Sequence, residues 1–160
     1  MAFNGSNVYA MANNLAAPRL TDIARQAGVI SVLQVAAYYP QRRLRHSLAR
    51  AIEYQHGEPK LEIVYEGFNH HRALRLKLPR THLESLTDAL HQAKFDKLGD
   101  QPQLSYQEGS LWLIQRAAGT YCHSIIAAPD VPQLPYSAIV NAVDEYLPIR
   151  EIPLTSYESQ

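Results

Sequence analysis

Arg42, Arg43, Arg45 and Arg50 crowd one short stretch, with His46 among them and Tyr38, Tyr39 and Tyr54 on its flanks. Guanidinium groups at this density can grip phosphates bidentately, and tyrosine rings offer unpaired bases a stacking surface. Arg42, Arg43, Arg45 and Arg50 are therefore a candidate nucleic-acid contact. The competing account is a solvated face with Leu44 and Leu48 turned inward. Fifteen basic and fifteen acidic residues cancel, so the chain lacks the net positive charge usual in such domains and any phosphate binding has to be local.

Two other groupings have the residue types for chemistry. His70 and His71 sit beside Asn69 in a turn-like segment, and adjacent histidines can ligate a divalent metal. No Cys or carboxylate recurs nearby at zinc-like spacing, so they are weak candidates and no metal site is assigned. Cys122 and His123 are neighbours in a predicted strand, where successive side chains point to opposite faces. They cannot then form a nucleophile and base pair, and a buried structural thiol is the expected role of Cys122. Serine-nucleophile, Walker, glycine-rich dinucleotide and HExxH motifs are absent, and no cofactor is implied. Glu62 and Glu66 read as one polar strand face opposite Arg75 and Lys77, a cross-strand charge ladder rather than an acid/base pair.

Ten tyrosines stand against one Trp and three Phe. Tyrosine combines a large contact area with a polar tip, which favours interfaces. Tyr9, Tyr38, Tyr39, Tyr106 and Tyr157 lie in arms or ambiguous segments and are the candidate partner-binding residues. Tyr136 and Tyr146 fall on a helix face and read as core-edge residues.

These groups need a scaffold, and 160 residues with 46% hydrophobic and 19% charged side chains suit one globular domain. A single cysteine excludes an intrachain disulfide, which suits a reducing compartment. No apolar run approaches the ~20 residues of a membrane helix, so membrane insertion is not expected. The first residues lack the features of a secretory or mitochondrial leader, and the expected location is cytoplasmic.

The clearest element signals run from Lys60 to Leu98. Leu61, Ile63 and Tyr65 alternate with more polar neighbours, and Leu74, Leu76 and Leu78 alternate with Arg75 and Lys77, the period of a half-buried hairpin. Leu76 is expected to be buried beneath the following helix. That helix is predicted to start at a Thr81–Glu84 capping box and to bury Leu83, Leu86, Leu90 and Ala93, stopping at Gly99. Residues 43–54 fit a helix by the four-residue spacing of Leu44, Leu48 and Ile52, or a strand by the even parity of Leu44, Leu48, Ile52 and Tyr54. The strand is favoured and would complete a meander with 60–66 and 72–78, while 29–39 likewise fit either a strand or a helix. Upstream, Pro18 opens a short helix with Leu20, Ile23, Ala24 and Ala27 on one face, closed by Gly28. Strands are predicted over 104–107, 111–116 and 120–127. A last helix presents Tyr136, Ile139, Val140, Val143, Tyr146 and Leu147, and Pro148 ends it. Residues 1–17 show neither periodicity and read as an arm, flexible or docked. Residues 18–148 form the domain, and 149–160 an extended tail.

The expected fold is a single α+β domain whose mainly antiparallel sheet is built from β-hairpins each followed by a helix, in ββα-like units, after a short helical lead-in. The expected function is a non-enzymatic protein–protein interaction module, such as an accessory subunit of a larger assembly, whose partner is another protein or a second copy. The alternative is a nucleic-acid-binding accessory protein that uses the Arg42 to Arg50 cluster, and an enzyme with dispersed catalytic residues ranks third.

Overall fold

The computed structural model describes residues 5–40, 44–104, 109–149 and 151–153. Their elements are α1 (Ser6–Leu15), α2 (Leu20–Ala24), β1 (Val29–Tyr38), β2 (Ser47–Tyr54), β3 (Lys60–Tyr65), β4 (Leu74–Lys77), α3 (Arg80–Gln92), β5 (Leu111–Ala118), β6 (Tyr121–Ala127) and α4 (Tyr136–Tyr146). The strands form one antiparallel sheet in the order β4-β3-β2-β1-β5-β6. The fold is α+β, as the sequence predicts. In chain order, β3–β4–α3 and β5–β6–α4 each set a helix after a hairpin, at opposite edges of the sheet. β1 and β2 belong to neither and lie at its centre.

β1 is a strand whose two faces are both covered by helices, so both of its side-chain rows are largely apolar. That double covering erases the alternation that would otherwise separate a strand from a helix. One face carries α3 and α4 over a continuous cluster that includes Leu33, Val35, Ala49, Leu61, Ile63, Ile114 and Ile125, capped by Leu86, Leu90, Ile139 and Val143. The other carries α1 and α2 over two separate clusters. Val8, Met11, Ala12 and Leu15 of α1 meet Ala36, Leu48, Leu113 and Ile126, whereas Leu20, Ile23 and Ala24 of α2 meet Val32, Ile52 and Ala117.

Several expectations need correction. Residues 6–15 are a helix, not an aperiodic segment, and it is docked on the sheet with Val8 fully buried. α2 begins at Leu20 with Arg19 at its N-cap, so Pro18 lies outside it, and Ala27 is exposed. Leu76 is 41% exposed. Its face is as predicted, since it pairs with the buried Leu61, but β4 is the sheet edge and the helices do not reach over it. Leu78, just past the strand, is the member of that leucine row that is buried. The Thr81–Glu84 box does not form. α3 starts at Arg80, the carbonyl of Pro79 accepts the first helical N–H bonds from His82 and Leu83, and no side chain caps the end. Thr81 therefore lies inside the first turn, past the position from which its hydroxyl would accept. Leu104 is not in a strand, and the rest of the predicted 104–107 strand lies outside the described residues. After α4, Ile152 accepts a bond from the Arg45 amide and Pro153 bridges to Leu44, which ties this segment to the approach to β2.

Candidate functional site

Register brings together on the α1/α2 face a row of polar residues, one from each strand. Arg75 of β4 pairs with Glu62 of β3, Glu62 with Arg50 of β2, Arg50 with Gln34 of β1, Gln34 with Gln115 of β5, and Gln115 with Ser124 of β6. The row lies between the two apolar clusters under α1 and α2. Its centre is buried, with Gln34 at 2% and Arg50 at 3% exposure.

An arginine can donate but not accept, so the buried guanidinium sets the direction of everything attached to it. Arg50 Nε donates to Gln34 Oε1 at 2.7 Å. The Gln34 amide must then turn its nitrogen the other way, and Nε2 donates to Gln115 Oε1 at 2.8 Å. Gln115 Nε2 donates in turn to Ser124 Oγ at 3.2 Å. The amide dipoles therefore align, and each bond strengthens the next donor. Burial pulls Arg50 below its ordinary pKa, and the charge of Glu62 opposes that fall. Arg50 Nη2 is buried and has no hydrogen-bond partner among the described residues. Glu62 Oε1 lies 3.8 Å from Arg75 Nε at the solvated end of the row, so the predicted charge ladder is present for this pair.

Beside the row, between the end of α1 and the start of α2, is a cavity of about 370 Å³. Gln34, Gln115 and Cys122 contribute from the sheet, and Asn13, Ala16, Arg19, Leu20 and Thr21 from the helical side.

The candidates read from sequence are scattered. Arg45 and Arg50 are both buried, so they do not form an exposed phosphate-binding face. Arg45 Nη1 donates to the carbonyls of Glu66 at 3.0 Å and Gly67 at 2.8 Å, and its guanidinium lies 5.6 Å from the Phe68 ring centre. Their burial has a common cause: arginine stems extend the apolar core while each head finds acceptors that cannot come from water. Arg42 and Arg43 lie outside the described residues, as do Tyr106 and Tyr157. Tyr39 is buried, and its backbone N–H donates to His46 Nδ1 at 3.1 Å. Tyr38 is half-buried and stacks on the His46 ring at 4.9 Å. Tyr9 is the exposed member of the set that is described. Burial raises its phenol pKa with help from Asp100, while the Ser124 hydroxyl opposes the rise.

His70 and His71 sit in a tight turn where Asn69, His70 and His71 all adopt positive φ. His71 Nε2 already accepts the Gly67 N–H at 2.7 Å, which withdraws that ring nitrogen from ligation. No group of three potential metal ligands occurs among the described residues. Cys122 is exposed rather than buried: it lies near the start of the edge strand β6 and lines the open cavity beside the helices. Partial desolvation nevertheless pushes its thiol pKa up, away from a reactive thiolate. No helix of the described residues is long and apolar enough to cross a membrane.

No protein-family description, curated protein or solved structure matches this chain.

Proposed function

We propose that the protein is a non-enzymatic protein–protein interaction module, an accessory subunit that receives an extended segment of its partner along β4. The observation that carries this reading is the composition of that edge. β4 pairs on one side only, and Leu76 stands exposed on the α3/α4 face. On the opposite face Lys60 and Lys77 are direct cross-strand partners, next to the Arg75–Glu62 pair. Like charges facing each other across two strands repel. Lys60 leans over the Tyr54 ring, and Lys77 has no ion-pair partner among the described residues. An added strand with alternating apolar and acidic side chains would cover Leu76 on one face and neutralise Lys77 and Arg75 on the other. Main-chain bonds would supply affinity and this alternation specificity.

The test is amide exchange with peptides of alternating Val and Glu or alternating Val and Lys. The Val-Glu peptide should slow exchange of the β4 amides, the Val-Lys peptide should not, and the double variant L76K/K77E should abolish the effect. Equal protection by both peptides, or none by either, refutes the reading. The nucleic-acid alternative predicts instead a mobility shift with duplex or single-stranded DNA that weakens steeply with salt.

A further inference from the structure

The cavity between α1 and α2 has no part in the β4 edge reading, and its chemistry is distinct. We propose that it is a binding site for a small free organic carboxylate, which the amide nitrogens of Gln34 and Gln115 hold from below and Arg19 from the rim. Three observations converge on an anion. The residues lining the cavity include no carboxylate, and Arg19 makes their summed charge positive. The floor is directional: because Arg50 can only donate, both glutamines are turned with their carbonyls toward it and their nitrogens away, and each amide nitrogen keeps one N–H beyond the bond it makes within the row. Finally, Arg50 at the head of the row is a buried cation with an unpartnered Nη2, so it adds positive charge behind the floor, tempered by Glu62 on its far side.

The carboxylate follows from the size and the walls. A cavity of about 370 Å³ exceeds what a simple inorganic ion fills, and it lies within the range of small-molecule sites. Ala16 and Leu20 offer an apolar wall for a short hydrocarbon portion, while Asn13 and Thr21 add neutral polar groups. A cationic ligand would meet Arg19, and a neutral amide could offer its carbonyl to the floor but would lack the charge that Arg19 attracts. The ligand chemistry that satisfies both walls is a short acyl chain with an ionised carboxyl group.

Hexanoate is the probe, with hexanamide as its uncharged counterpart, and the full chain is observed through its side-chain amide resonances. Hexanoate should move the Gln34 and Gln115 amide signals saturably, in the millimolar range or tighter, whereas hexanamide should leave them in place. Arg19 is exposed, so Arg19→Ala should fold normally and weaken hexanoate about tenfold. Gln115→Glu should abolish binding by placing a like charge in the floor. The proposal is overturned if hexanoate moves neither signal, if hexanamide moves them equally, or if Arg19→Ala binds hexanoate as tightly as the parent.

Discussion

The two faces of the sheet solve the same burial problem differently. Under α3 and α4 the core is one continuous apolar cluster, whereas under α1 and α2 the apolar contacts are split by a row of glutamines headed by a buried arginine. The first arrangement maximises area removed from water and asks little of geometry beyond packing density. The second gives up apolar area for a chain of hydrogen bonds that all run in one direction, and such networks discriminate strongly against misregistered strands. One face thus rests on apolar burial alone, and the other adds to its apolar clusters a directional constraint on the register of β1, β2, β5 and β6.

The largest expected effect tests whether the split face is nevertheless essential. Removing residues 1–16 strips Val8, Met11, Ala12 and Leu15 from the sheet, a loss of roughly 5 kcal/mol or more. That is comparable with the whole stability of an ordinary domain. The truncated chain should show no cooperative urea transition, and a melt like that of the full chain would make α1 dispensable. Next, Leu86→Ala, fully buried on the continuous face, should cost ~2 to 5 kcal/mol in denaturant melts.

On the split face, Gln34→Leu orphans the donor of Arg50 and the acceptor of Gln115, at a cost of ~1 to 3 kcal/mol. Replacing Arg50, Gln34 and Gln115 together by Met, Leu and Leu should recover that loss, because an apolar row leaves nothing unpaired. If the triple variant is less stable than Gln34→Leu, the row contributes net stability and the contrast between the faces fails.

A pH experiment separates the faces with less leverage. Tyr39 and Tyr136 lie in the continuous core, and burial raises the pKa of both phenols. Tyr121 is pushed up to about 12 by burial, with its hydrogen bond to Asp96 adding to the rise. The unfolded chain therefore loses these protons first, near the ordinary value of 10.0, so stability should fall as pH rises from there toward 12. Melts at intervals across that window should show a shallower decline for Tyr121→Phe. The smallest effects belong to the uncovered edge and the helix start. Leu76→Ala and Thr81→Ala should each change stability by less than about 0.5 kcal/mol. A cost near that of Leu86→Ala at Leu76 would mean that something covers β4 in solution.

The continuous face was largely legible in the sequence because its elements keep strict periods. Leu61, Ile63 and Tyr65 alternate, and Leu83, Leu86 and Leu90 recur at helical spacing. The alternation of Leu74 and Leu76 gave the face correctly but not the burial, since periodicity says nothing about where a sheet ends. α1 carries the helical spacing too, in Val8, Met11, Ala12 and Leu15, but Ala12 is only weakly apolar and the neighbouring Asn7, Asn13 and Asn14 are poor helix formers. The polar row was illegible for another reason. Gln34 reads as an interruption in an apolar run and Arg50 as part of a charge cluster, and they meet Gln115 only through pairing across 16 and 81 residues. No local window contains that information.

The strand order also governs what the chain shows while it is being made. β1 sits between β2 and β5, and β5 comes only after β2, β3, β4 and α3 have left the ribosome. A nascent chain ending before Leu111 can complete the four-stranded meander, yet one side of β1, with Val32, Leu33, Val35, Ala36 and Ala37, still lacks its neighbour. At synthesis rates of roughly 5–20 residues per second, that open edge persists for seconds. During that interval this apolar edge is a template for any other unfinished chain.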